Sequence, residues 1–312
     1  MSSPFILVPK TVTDTVLISS TLAEPGPGEF VWNAGTNYVV GQRAIVIATH
    51  SVYDNLIAGI NATSPELALT GATPRWRRVG PTNKWAAYDG AIDTKSRATS
   101  LLQYVLRPGI FTAIAVYGAE GGTVRFVVRD APGGTVVIDM TQNMFVPSID
   151  MWDYRFGGVR QLTKAILKDV VPYADPEVTI TIEAGGGGAV AVGMIAIGDL
   201  RALVTVEGTG GTEYGAAVKP ISFNYVAFDD YGQLTIKRRP STTGMTASLV
   251  LPLEDADKLL ATVQEVLGVP VAIIASDLPL YDGLNIFGLV SAEITYKGPT
   301  HAGANLDVRG II

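Results

Sequence analysis

The run Gly80-Pro-Thr-Asn-Lys-Trp-Ala-Ala-Tyr-Asp-Gly90 places aromatic rings, an amide and a carboxylate close together. A ring face stacks on the C–H surface of a sugar, while amide and carboxylate bond its hydroxyls. Asn83, Trp85, Tyr88 and Asp89 are therefore candidate glycan contacts. The competing reading is structural: Trp85 and Tyr88 plug one end of a β-sandwich, and Asp89-Gly90 is a turn. A second aromatic run, Trp152-Asp-Tyr-Arg-Phe156, sets rings beside a guanidinium. That composition is typical of an interface anchor, so Trp152, Tyr154, Arg155 and Phe156 are candidate partner or glycan contacts; they serve equally as the cover of a sheet end. Lys237-Arg238-Arg239, ahead of Pro240, is either an anchor for an acidic partner or an ordinary solvated charge cluster.

Other chemistries find little support. The pairs Asp229-Asp230 and Asp175/Glu177 have the residue types of a general acid and base or of calcium ligands, but such pairs are common in polar turns. A glycan hydrolase therefore ranks third, behind a structural and a glycan-binding role. No GxSxG, HExxH, Walker or EF-hand spacing occurs. Gly185 to Gly188 precedes a strand rather than a helix and lacks the lysine of a phosphate loop. The chain has no cysteine and two histidines, His50 and His301, far apart in sequence. That excludes thiolate metal sites and disulfides and argues against a His-based zinc site or dyad. No catalytic residue, metal or cofactor is expected.

Net charge is −6 over 312 residues, so phosphate backbones exert no general attraction. The one dense basic cluster, Arg75, Arg77 and Arg78 around Trp76, is too small to reverse that, and nucleic-acid binding is not expected. The opening Met-Ser-Ser-Pro-Phe-Ile-Leu-Val-Pro-Lys lacks a basic n-region, and its apolar run stops at Pro9, unlike a secretory signal. The uncharged stretch 184–198 is too short to span a bilayer as a helix. Soluble synthesis in the cytoplasm without membrane insertion is expected.

Which elements would hold these residues? Glycine and proline total 34 + 18 = 52, an excess that favours short strands joined by turns over a helical bundle. Thr11–Ser19 and Tyr38–Ala48 read as strands of an opening β module, residues 1–75, which is either a domain or an arm. Strands are expected at Ser100–Arg107, Thr112–Tyr117, Val124–Asp130, Val136–Asp139, Glu177–Ile182 and Ala189–Ile197. Their spacing indicates a central antiparallel sandwich or jelly roll over 76–207. After a linker at 204–214 comes a smaller α+β or barrel-like domain, 208–312. It has strands at 221–228, 233–237, 271–275, 286–290 and 293–296. One helix, 254–267, has Ala256, Leu259, Leu260, Val263, Val266 and Leu267 as a single buried stripe. The fold class is mainly β.

The order of these features resembles a family of tail proteins from tailed bacteriophages. The resemblance is carried by Tyr38-Val-Val-Gly-Gln42, Tyr53, Pro65 and Trp76, then by Asn83-Lys-Trp-Ala-Ala-Tyr-Asp-Gly90, its most specific part. Arg107-Pro-Gly109, Trp152-Asp-Tyr154 and Val192-Gly-Met-Ile-Ala-Ile-Gly198 follow, and the late block Tyr225…Asp230-Tyr-Gly232…Arg238-Arg239 closes it. In that family the Asn83–Gly90 stretch opens a sandwich similar to galactose-binding-like carbohydrate modules. The late block looks like parts of distal-tail or minor tail proteins. The resemblance implies a virion component at the tail tip or baseplate, without enzymatic activity. Its partners would be other tail proteins and further copies of itself, in a three- or six-fold ring, with a host surface glycan as the alternative ligand.

Overall fold

The computed structural model describes all residues except 1–2, 71–72, 147–149, 159, 206–209, 277 and 279–280, together with the side chains of 153 and 154. The fold is mainly β and sandwich-like. A long antiparallel sheet runs in the order Lys164–Leu167, Ala113–Tyr117, Met194–Ala202, Phe5–Pro9, Val271–Ile274, Asn285–Tyr296, His301–Gly310 and Ser241–Pro252. Gly211–Thr212 and Ala217–Ser222 lie along the outer side of the last strand. A second sheet is ordered Val136–Asn143, Thr123–Arg129, Glu177–Glu183, Leu101–Leu106 and Leu17–Ser20.

Side-chain alternation explains how the two sheets meet. Val124, Phe126 and Val128 point to one face and pair across the strands with Ile182, Ile180 and Val178. These side chains are fully buried with Leu102, Tyr104 and Leu106 of the next strand. Ile114, Val116, Ile195 and Ile197 of the long sheet close the same core from the other side. This is the sandwich read from the sequence.

The strand Phe5–Pro9 joins the two halves of the long sheet. Its register pairs Ile6 with Arg201 and Ile273, and Leu7 with Leu200 and Ala272. One sheet thus runs through the segments that the sequence separates at 76 and 208. Leu17–Ser20 likewise belongs to the second sheet rather than to the opening module. The rest of that module has a small core of Tyr38, Ala44, Tyr53 and Trp76 beside the sheet Arg43–Val46, Ser51–Asn55 and Trp76–Pro81.

Several expected elements differ. Thr11–Ser19 is not one strand, because the Thr13 carbonyl accepts from the amides of Val16 and Leu17 and turns the chain. Tyr38–Ala48 breaks at a turn with Gly41 at φ 80°, where the Val39 carbonyl accepts from the Gln42 amide. The 189–197 segment divides at Gly193. A Cβ there would stand 2.3 Å from the Ile92 carbonyl oxygen, so only glycine lets the 83–95 loop cross the sheet at this point. Residues 221–228 split between Ala217–Ser222 and Tyr225–Phe228, whereas 286–290 and 293–296 are one strand, Asn285–Tyr296.

Two α-helices occur among the described residues. Helix α1 spans Met151–Phe156, where no element is expected from the sequence, and helix α2 spans Leu253–Glu265. Helix α2 packs Ala256, Leu259 and Val263, with Val266 just beyond, onto Met245, Leu249, Leu251, Leu306 and Val308. The expected stripe needs correction at two positions: Leu260 and Leu267 face solvent, while the polar Asp255 in the first turn is buried.

Candidate functional site

The Asn83–Gly90 segment closes one end of the sandwich, where the opening module meets it. Trp85 is buried, and its indole Nε1 donates to Glu24 Oε2 at 3.0 Å. One face of the ring stacks on His50, 4.0 Å between centroids and 22° from parallel, and Tyr88 meets it edge-on at 6.0 Å. His50 covers one face of the ring, and 6% of Trp85 stays exposed. Tyr88 in turn meets Tyr104 edge-on at 5.4 Å, and Tyr104 donates its hydroxyl to the Lys84 carbonyl. Burial, with Tyr104 adjacent, pushes the Tyr88 phenol well above its ordinary range. The Tyr88 hydroxyl has no hydrogen-bond partner among the described residues.

Asn83 and Asp89 are engaged with the backbone. Asn83 donates Nδ2–H to the Arg97 carbonyl at 3.0 Å and accepts the Arg97 amide at 2.8 Å. That double bond fixes the strand Ser96–Ala98. Asp89 accepts the Ala91 amide at 2.9 Å and the Thr94 hydroxyl, holding a turn that Gly90 completes at φ 84°. Burial raises the Asp89 carboxyl, and these two bonds only partly offset it.

Glu24 ties the region together, and nothing in the sequence around it singled it out. Its side chain is 4% exposed. It accepts from the Thr82 hydroxyl at 2.6 Å, from the Trp85 indole, and from His50 Nδ1 at 3.0 Å. His50 Nε2 faces Asp14 at 3.2 Å. The imidazole thus has carboxylates at both nitrogens, buried Glu24 and exposed Asp14, and an indole on its face. Sequence reasoning missed this cluster because Asp14, Glu24, His50 and Trp85 are brought together only by tertiary packing. A hollow of about 360 Å³ opens above it, bordered by Asp14, His50, Arg78, Trp85, Tyr88 and Asp89, so three of the four candidate glycan contacts of the Asn83–Gly90 run line it. Among the described residues no group of three His, Asp or Glu side chains is placed to hold a metal ion.

A second hollow, of about 420 Å³, lies beside Lys164, Gln142, Gln161 and Asn285. The Lys164 ammonium donates to the carbonyls of Asp282 and Asn285, and burial lowers its pKa.

The other candidates stand far from the plug in character. On α1, Trp152 is 72% exposed and Phe156 63%, their rings 4.4 Å apart at 42°. Arg155 is exposed on the same helix, and the side chain of Tyr154 lies outside the described residues. Lys237 ends the hairpin formed by Tyr225–Phe228 and Leu234–Lys237, with Arg238 and Arg239 directly after it. The hairpin prolongs the pair Ala217–Ser222 and Ser241–Pro252 beyond the sheet: Ser222 pairs with Ser241, and Tyr225 then pairs with Lys237. Asn224 accepts the Arg239 amide at 2.7 Å across the junction. Paired residues share a face, so Val226/Ile236 and Phe228/Leu234 form one apolar side, while Tyr225/Lys237 and Ala227/Thr235 form the other. All four residues of the apolar side are at least half exposed.

No protein-family model and no curated protein matches the chain. Among solved structures, chitosan-binding module 1 derived from a chitosanase/glucanase of Paenibacillus sp. IK-5 matches at 10% identity. The match covers 36% of this chain and 83% of that one, with a TM-score of 0.25. A selenomethionine-labelled mutant of that module matches at 9% identity over 36% and 82%, also with a TM-score of 0.25. Reduced XRCC1 bound to the DNA pol beta catalytic domain matches at 10% identity over 62% of this chain and 98% of that one, with a TM-score of 0.26. Likenesses this low carry no argument about function, and no bacteriophage family is among the proteins named.

Proposed function

We propose that this protein is a non-enzymatic structural subunit of a bacteriophage tail tip or baseplate, built into a ring with neighbouring tail proteins about the tail axis. The observation that carries the assembly role is the projecting hairpin, whose Val226, Phe228, Leu234 and Ile236 have no cover in the single chain. A two-stranded ribbon is marginal in water by itself, and each apolar Å² left wet forgoes about 25 cal/mol. Phe30, Val39, Val40, Ile60 and Leu67 of the opening module are also exposed. Permanent assemblies bury large apolar surfaces of this kind. The tail-specific part rests on the sequence resemblance, above all Asn83–Gly90. The non-enzymatic part rests on the sequence, in which no recognised catalytic spacing occurs. The protein would be made in the host cytoplasm and reside in the virion, with no cofactor, nucleic acid or membrane insertion required.

Electron microscopy of intact particles carrying a tagged copy tests this directly. Density at the tail tip, with no saturable binding of the purified protein to host surface polysaccharide, is the expected result. Absence from particles sinks the proposal. A second reading, a receptor- or glycan-binding module exposed on the virion, is favoured by the uncovered Trp152 ring. It requires polysaccharide binding that Trp152→Ala abolishes in a folded protein.

A further inference from the structure

The uncovered hairpin face has a counterpart on helix α2. Leu253, Leu260 and Leu267 are 37%, 41% and 58% exposed. Leu253 and Leu260 are seven residues apart on α2, which turns the second only about 20° from the first, so they form one outward stripe, and Leu267 follows just beyond the helix end. Asp257 lies between the first two along this stripe, and Glu254 sits beside it, both exposed. The hairpin has the opposite charge character: Lys237, on the face opposite the apolar side, is followed at the hairpin base by Arg238 and Arg239. Residues 223–240 carry three basic and two acidic groups, a net +1, so the remainder of the chain carries −6 − 1 = −7. Asp229 and Asp230 at the hairpin tip count against a lipid bilayer as the occupant, since carboxylates entering hydrocarbon are costly.

We propose that the hairpin of one copy of this chain seats its apolar side on Leu253 and Leu260 of α2 in a second copy, with Arg238 and Arg239 at the hairpin base facing Glu254 and Asp257. This rests on the assembly role proposed above and names its partner. Donor and acceptor are different surfaces, so the contact is head-to-tail and repeats into a ring, or into a filament where the rotation does not close.

Native mass spectrometry and light scattering on the full chain test it. The variants are F228D/L234D on the hairpin and Leu260→Glu on the stripe; all three side chains are exposed, and circular dichroism confirms that each variant folds. The wild type is expected to associate as concentration rises, and each variant alone to associate roughly a hundredfold more weakly, as hot-spot losses do. An equimolar mixture of the two variants is expected to stop at a dimer, because each retains one working surface. A wild type that stays monomeric, a variant that assembles like the wild type, or a mixture that forms no dimer overturns the proposal. A monomeric wild type that still enters particles, and is lost from them in F228D/L234D, removes the second copy as occupant and leaves the assembly role standing. Absence of the wild type from particles instead sinks the assembly role itself.

Discussion

The plug around Trp85 and the hairpin Tyr225–Lys237 draw on similar residues: aromatic rings, carboxylates and nearby basic groups. Their surroundings are opposite. At the plug, every polar edge of Trp85, Asn83 and Asp89 meets a partner within the chain, and both His50 nitrogens face carboxylates. On the hairpin, four apolar side chains share one face, and each is between half and 70% exposed. Polar atoms already engaged, as in Trp85, Asn83 and Asp89, hold the fold together, while the Tyr88 hydroxyl has no partner among the described residues. Apolar surface left over, as on the hairpin, α1 and the outer side of α2, is available for a partner.

The contrast predicts a graded series of effects. Trp85→Ala should have the largest, about 3–5 kcal/mol of lost stability, as for other buried tryptophans. Trp152→Ala should change stability by only about 0.5 kcal/mol. Chemical denaturation of both variants checks this, and equal losses would erase the distinction. Glu24→Ala leaves the Trp85 indole, the Thr82 hydroxyl and His50 without their acceptor, and should cost about 2–3 kcal/mol. Thermal melts that match the wild type would show that Glu24 is not the tie between module and sandwich.

Asp255 supplies a pH-dependent case. It is buried, which by itself raises its pKa, but the amide and hydroxyl of Thr205 at 2.9 and 2.6 Å, with Lys258 at 3.0 Å, outweigh burial and hold the carboxyl below the ordinary 3.8. A depressed folded pKa means that its stabilisation is complete above the ordinary value and is lost as pH falls through the folded value. Asp255→Asn should therefore cost about 1–2 kcal/mol at neutral pH, and the difference from the wild type should shrink below about pH 4. Denaturation midpoints followed against pH would contradict this by showing a constant difference. The smallest effect belongs to the hairpin: Phe228→Ser should leave the stability of the monomer within about 0.5 kcal/mol, since nothing packs on that ring. A large loss would mean that the apolar side is covered within the chain after all.

The strands of the sandwich were legible because their buried positions are bulky and alternate strictly, as in Val124, Phe126 and Val128. Ser241–Pro252 and His301–Gly310 went unread, although they are among the longest strands and pair along nearly their full length. Their inward positions mix bulky Met245, Leu249, Leu251, Leu306 and Val308 with Ala247, Ala302 and Ala304, and the alanines interrupt the bulky alternation. Periodicity placed α2 within a few residues but could not tell which leucines of a broad apolar arc meet the sheet, so Leu260 and Leu267 were assigned to the wrong side. The plug residues were visible as a motif, while Glu24 and His50, 61 and 35 positions away from Trp85, were not.

By itself the amino-acid sequence determined the fold class, the sandwich strands, the position of the one long helix and the absence of thiolate chemistry, because each depends on local composition and spacing. The tertiary structure alone decided that Phe5–Pro9 joins two halves of one sheet, that Trp85 is enclosed, and that the hairpin and the outer leucines of α2 are left bare. Those outcomes depend on which distant surfaces meet. A side chain's freedom to act on another molecule is set by the neighbours that cover it, and those neighbours are distant in the chain.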